Sequence, residues 1–479
     1  MQNSQNRYKR LGINTIYTFI ANVGPQFVSF ILVPFYTFWL SKEAFGIQDL
    51  FQVYVVFLVP YLSIGLYEAV FLFPKDKPQE EQRQYFSTAI ISVTVIVASF
   101  ILLWLLMPQK VINLILTEKM RIYESFLLVT LATGPYQRIM QNFARSLDKM
   151  KVFCATGVVY ALLMMAFSLL LVPKYGLYGY FIGFISSQIL STVYTFVGIK
   201  GWYYLSVKAA TKSRFREMMK FSMPLVPNTT MWWIVNSINR PILLSVVGLE
   251  GVGLMAVANK FPSIINVIFS VFFTALQISV IEEFNKGNYR VFYNKIFRVL
   301  YFILLGLGFV FILFGDLLFR WFIDAKFHEC VYYLPIISLG AIITSLAAYV
   351  GSTFTVLKQT IHFLYSSIIA AVVAVAANAL LIPKLGIMGA CISICLSQLA
   401  MFLYRWYKAY KHVNFTNSGR LILITASFLV AMLVYYVFEY SILRQIMLYL
   451  LLAVFIYLNI DMYDDMKLIL QKVIKRKSN

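Results

Sequence analysis

Polar side chains recur at helical spacing inside several of the most apolar stretches of this 479-residue chain. Residues three or four positions apart lie on one face of a helix, so each set forms a stripe. The stripes include Asn14, Asn22 and Gln26 near the N-terminus, Asn228, Asn236 and Arg240 in the middle with Asn239 alongside, and Asn259 and Asn266 shortly afterwards, where Lys260 is the neighbour of Asn259. Amides bind hydroxyl-rich molecules, and a cation among them binds an anion. Because unsatisfied polar groups are costly in lipid, we expect a hydrated cavity, although isolated amides can also simply join helices.

Arg240 and Lys260 stand out because a cation near the centre of a bilayer costs on the order of 3 kcal/mol. They fall on successive apolar stretches that run in opposite directions, and could therefore converge on one site. Such a site suits an anionic passenger such as a phosphate or pyrophosphate group. The alternative is a structural ion pair with Asp49 or Glu68 in the second stretch, and the spacing leaves both readings open.

Long apolar helices must carry these side chains, since 60% of the residues are hydrophobic and the mean hydropathy is +0.76. A spanning helix needs roughly 20 apolar residues, and we count about fourteen such stretches. The sequence therefore predicts an all-α polytopic membrane protein. The short predicted outer loops leave no room for the external catalytic loop that a membrane glycosyltransferase or polymerase needs, so we expect no enzyme. The four cysteines lie in or beside spans, and we expect no metal and no cofactor.

An internal repeat organises the spans. Leu171–Gln188 recurs as Leu381–Gln398, with Leu, Pro, Lys, Gly, Gly, Ile, Ser and Gln at the same places. Duplication at this period predicts two pseudo-symmetric lobes of six helices. The PKxG motif within each copy predicts a tight outer hairpin. The predicted segments are a first lobe at 1–199, a basic linker at 200–220, a second lobe at 221–407, and two further helices with a basic tail at 408–479.

The net charge of +21 reflects topology rather than nucleic-acid binding. Most of the 41 Lys and Arg fall in alternate loops, on the same side as both termini. The positive-inside rule therefore places both termini in the cytoplasm. The excess charge also attracts anionic membrane lipids.

Four segments carry a family resemblance: Gly12–Thr15, Pro34–Leu50, Pro173–Gly176 and Pro383–Gly386. In order and spacing they resemble bacterial polysaccharide-biosynthesis exporters. These are the O-antigen flippase type of the multidrug/oligosaccharidyl-lipid/polysaccharide exporter superfamily. The resemblance implies two lobes that work by alternating access, in the inner membrane, around a cationic cavity. It also implies a substrate, an undecaprenyl-pyrophosphate-linked oligosaccharide flipped from the cytoplasmic to the outer leaflet, and contact with other polysaccharide-assembly proteins.

Lipid II flippases are relatives that this chain resembles less, because its first stretch carries amides where theirs carries arginines. Asp49 and Glu68 are candidates for coupling to an ion gradient. The main alternative function is a multidrug or organic-cation antiporter of the same superfamily. That function calls for buried acidic groups, and Arg240 and Lys260 argue against it.

Overall fold

The computed structural model describes residues 17, 20, 21, 23–273, 289–357, 359, 361–413, 418–438 and 441–460, and within these ranges every regular element is helical. Eight helices there are long and apolar enough to cross a membrane by length and composition. The prediction of an all-α polytopic membrane protein is confirmed. The count of about fourteen spans stays a prediction. Asn14 and Asn22 lie outside the described residues.

The chain divides into two compact units, Met1–Trp233 and Ile234–Asn479, and the division falls inside helix α10. The α-helices of the first unit and its end are α1 Val33–Trp39, α2 Lys42–Leu62, α3 Leu66–Leu72, α4 Gln79–Leu106, α5 Gln109–Ile115, α6 Glu118–Arg121, α7 Glu124–Ser146, α8 Met150–Ile199, α9 Lys212–Ser222 and α10 Leu225–Ser237. Those of the second are α11 Asn239–Lys260, α12 Tyr289–Phe322, α13 Leu334–Val356, α14 Ile361–Val413, α15 Ser418–Val437 and α16 Ile442–Tyr457.

The two PKxG motifs turn the chain back on itself inside α8 and α14. Gly176 has φ 55° and ψ −129°, and Gly386 has φ 56° and ψ −129°, a conformation that residues with a side chain rarely adopt. A Cβ added at Gly179 would lie 2.3 Å from the Leu171 carbonyl oxygen, so the helical segments before and after the turn are in close contact. Each of these helices is therefore a hairpin of two antiparallel arms, as the repeat predicts.

The second apolar stretch is broken between α2 and α3. Pro60 lies inside α2, and the chain then passes through Ile64 at φ 47° and Gly65 at φ 64°. The Ser63 hydroxyl donates to the Val59 carbonyl at 2.8 Å and so occupies a backbone acceptor beside the break. The break gives this stretch two helical axes, which sequence periodicity did not predict.

A partly buried ion pair joins α16, the last of the described helices, to α12 of the same unit. Nη2 of Arg444, in α16, lies 3.0 Å from Oδ2 of Asp316, in α12. The guanidinium also lies 4.8 Å from the centre of the Tyr435 ring in α15. The two C-terminal helices are thereby fixed to the repeat unit that precedes them.

Candidate functional site

A polar cavity of about 200 Å³ lies within the second unit, bordered by α10, α11, α13, α14 and the helical segment 263–273. It combines cationic, amide, hydroxyl and apolar groups. The lining residues are Asn236, Arg240, Asn259, Pro262, Ser263, Asn266, Ile337, Gly340, Ala341, Thr344, Ile394 and Gln398. None of these described lining residues is acidic. The electrostatics of the cavity therefore favour an anion or a neutral hydroxyl-rich group.

Arg240 reaches the cavity from a helix break. Pro241 has no N–H to donate to the carbonyl four residues earlier, and the helix is interrupted between Ser237 and Asn239. Nη1 of Arg240 donates to the Asn236 carbonyl oxygen at 2.9 Å and to Oδ1 of Asn239 at 2.7 Å. The residues that precede the arginine in the chain thus also orient its guanidinium.

Gln398 faces Arg240's helix from α14. Its Nε2 donates to Oδ1 of Asn236 at 3.4 Å. Its side chain is 1% exposed, and its Oε1 accepts no hydrogen bond from any described residue. A buried acceptor without a donor costs about 1–3 kcal/mol, so this oxygen is suited to a hydroxyl or amide donor of a ligand.

Asn259, near the end of α11, and Asn266, in the segment 263–273, also line the cavity. Nδ2 of Asn259 donates to the Met255 carbonyl at 2.8 Å, and the Ser345 hydroxyl lies 3.5 Å from Oδ1 of Asn266. The structure therefore brings Arg240, Asn236, Asn259 and Asn266 together.

The other predicted residues that the structure describes are not among the described lining of this cavity. Asn239 is 1% exposed, and its Oδ1 accepts a hydrogen bond from Arg240. Lys260 is the last residue of α11, and its neighbour Asn259 takes the cavity position. The remaining four belong to the first unit and are Gln26, Asp49, Glu68 and Asn228. Of the two predicted cations, Arg240 is the one on the cavity wall.

Sequence reasoning missed Gln398 and Thr344. Gln398 did carry a signal, because it closes the repeat and matches Gln188 of the first unit. Gln188 is 3% exposed, and its Oε1 likewise has no donor among the described residues. The same amide is thus buried with an unused acceptor in both units.

Comparison with known proteins gives one family and a group of similar folds. Residues 11–277 match the family model described as polysaccharide biosynthesis protein. None of the curated protein sequences matches the chain.

Among solved structures, a lipid II flippase MurJ in an inward closed conformation is similar with a TM-score of 0.71 and 17% identity, over 95% of this chain and 99% of that one. An inward-facing multidrug resistance MATE family transporter of the MOP superfamily follows with a TM-score of 0.64 and 11% identity, over 84% and 94%. A MOP superfamily transporter from Pyrococcus furiosus, described as having a binding pocket of reverse polarity, gives 0.54 and 12%, over 85% and 95%.

Proposed function

The chain belongs to the polysaccharide biosynthesis protein family, and from that premise we propose that it is a flippase for lipid-linked oligosaccharides. It moves undecaprenyl-pyrophosphate-linked glycan units from the cytoplasmic to the outer leaflet of the bacterial inner membrane, for surface polysaccharide. The chemistry is transport by alternating access rather than catalysis. The predicted six-helix repeats, 1–199 and 221–407, are the two halves that move.

The observation that carries this proposal is a cation surrounded by amides and hydroxyls in a cavity of the second unit. A guanidinium presents a planar fork of donors that matches phosphate oxygens. Gln398, Asn259 and Asn266 offer both donors and acceptors, as sugar hydroxyls require. A cavity of about 200 Å³ accepts a pyrophosphate or a single sugar, while the prenyl chain stays in lipid.

The energetics favour a role for Arg240 beyond packing. Placing its charge within a bilayer costs on the order of 3 kcal/mol, and Asn236 and Asn239 orient its guanidinium at the wall of the cavity. A pyrophosphate in the cavity would accept charge-assisted hydrogen bonds from this guanidinium. Asp49 and Glu68 remain our candidates for coupling to a proton or sodium gradient.

A multidrug or organic-cation antiporter is the second candidate. A cationic passenger needs carboxylates, and the described lining of the cavity has none, while Arg240 would repel it. The cavity therefore favours the flippase.

The test is complementation of a strain that lacks the gene. Wild type should restore surface polysaccharide, whereas Arg240→Gln should lower it at least about tenfold, because a charge-assisted bond to the pyrophosphate is lost. The lipid-linked unit should then accumulate on the inner leaflet. Lys384→Gln, which removes an exposed charge at the α14 turn, is the matched control and should behave as wild type.

Export by Arg240→Gln at the wild-type level, with equal protein in the membrane, would contradict the cationic cavity. A deletion strain that gains drug sensitivity but accumulates no lipid-linked glycan would favour the antiporter.

A further inference from the structure

The linker helix α9 uses one face to hold itself against α4. Thr211 caps its start by accepting a hydrogen bond from the Arg214 amide at 3.3 Å. Nη2 of Arg214 lies 3.1 Å from Oε2 of Glu81, and Nη1 lies 3.2 Å from Oε2 of Glu217. Nη1 also donates to the Tyr85 hydroxyl at 2.6 Å. These bonds fix the rotation of α9 about its axis.

The opposite face of α9 borders a large groove. Arg216, Met219, Lys220 and Met223 follow the i, i+3, i+4, i+7 pattern of a single helical face. They line a groove of about 1100 Å³ in the first unit, together with Tyr61, Ile64, Pro224, Val226 and Pro227. The groove is thus built from the linker helix, the start of α10 and the break between α2 and α3.

The groove combines hydrocarbon with positive charge. Arg216 and Lys220 are exposed, and neither forms an ion pair with a described carboxylate. Met223 remains 59% exposed although it is apolar. An apolar floor beneath two cations is complementary to a lipid with a phosphate head, not to a soluble anion.

A turn with a strained backbone forms one wall of the groove. Ile64 is β-branched and has φ 47°, a left-handed conformation that such residues rarely adopt. A Cβ added at Gly65 would lie 3.1 Å from the Ser222 carbonyl oxygen, so the break and the end of α9 are in close contact. The strained turn thereby places the Ile64 and Tyr61 side chains against the linker helix.

We propose that this groove docks the prenyl-pyrophosphate end of the lipid-linked substrate before it reaches the polar cavity. The inference rests on the proposed function and on the predicted cytoplasmic side of the linker. Two cations one helical turn apart match a pyrophosphate, in which each of the two phosphoryl groups carries negative charge. A phospholipid phosphodiester has only one such group. The methionine, valine and proline side chains then border the first isoprene units.

The test is photolabelling of the full-length protein in nanodiscs of phosphatidylcholine. The probe is farnesyl pyrophosphate with a diazirine in its tail. Peptides covering 216–227 should be labelled, and Arg216→Gln with Lys220→Gln should lower that labelling at least about tenfold. Lys208→Gln with Lys212→Gln removes the same charge from exposed linker positions and should leave it unchanged.

Competition decides the source of the phosphate. Unlabelled undecaprenyl pyrophosphate should suppress labelling at concentrations where phosphatidylglycerol does not. Equal competition by phosphatidylglycerol, or equal labelling of the Arg216 and Lys220 double variant at an unchanged melting temperature, would overturn the proposal. Labelling is scored apart from export, so a deletion strain that accumulates no lipid-linked glycan would remove the proposed function without affecting this result.

Discussion

At the scale of single residues, two side chains of the cavity in the second unit differ in their hydrogen bonding. Arg240 is held by two neutral oxygens, whereas Oε1 of Gln398 has no donor among the described residues. The first arrangement orients a charge, and the second retains an unused hydrogen-bond acceptor. A ligand with a phosphate and a hydroxyl group would bond to both, since the phosphate accepts from the guanidinium and the hydroxyl donates to the amide oxygen.

We predict that Gln398→Met will separate stability from transport. The change removes a long 3.4 Å hydrogen bond, worth about 1 kcal/mol, together with a buried acceptor whose desolvation costs about as much. The melting temperature of the purified protein should therefore stay close to that of wild type, while glycan export falls.

Gln188→Met is the matched control, since it alters the equivalent position of the first unit, outside the cavity of the second. It should keep more export than Gln398→Met. A large loss of melting temperature in Gln398→Met, with normal export per folded molecule, would show that Gln398 serves packing only.

At the scale of elements, glycines decide where the long helices reverse. Gly176 and Gly386 share nearly identical torsions in the two copies, although the residues around them differ. The PKxG spacing was enough to predict these hairpins. No comparable motif marks the break at Ile64, and isoleucine is among the residues least expected at positive φ.

We predict that two alanine substitutions in the second hairpin will differ in severity. Gly386→Ala meets little steric obstruction and should cost about 1–3 kcal/mol, because a residue with a side chain rarely adopts its φ of 56° and ψ of −129°. Gly389→Ala places a Cβ 2.3 Å from the Leu381 carbonyl oxygen, so the arms must separate at a cost of about 3 kcal/mol or more. Melting curves in detergent rank the two, and a more severe Gly386→Ala would contradict the close approach.

At the scale of the whole molecule, the predictions came mainly from hydropathy and from the internal repeat. They gave the helical membrane class and, with the quoted motifs, the family, and both are confirmed. The polar stripes also selected Arg240, Asn236, Asn259 and Asn266, which the fold brings to one cavity. The predicted lobe boundaries and site roles remain proposals.

What the sequence did not reveal depends on distant packing. Gln398 has no amide or charged residue three or four positions away in α14 that would mark it as part of a stripe. Its role depends on Asn236, which is 162 residues away in sequence. The groove beside α9 likewise needs the strained turn at Ile64, which comes from a different part of the chain. Periodicity describes one helix at a time and carries no information on such pairs.

The predicted orientation can be tested by cysteine labelling. The four native cysteines are buried, so their background reaction with a membrane-impermeant maleimide should be low. Lys174→Cys and Lys384→Cys, at the exposed hairpin turns, should react in intact cells, and Lys208→Cys in the linker should react only after lysis. The reverse pattern would invert the topology and move the groove to the outer leaflet.

The ion pair between Asp316 and Arg444 also sets an order of events during synthesis. The two residues are 128 positions apart, and a ribosome that adds about 5–20 residues per second needs on the order of 10 s to cover that distance. During this interval α12 is already made, while the guanidinium that neutralises its carboxylate is not. A chain truncated before α16 would lack the guanidinium that pairs with this carboxylate. We expect membrane proteases to degrade such a chain.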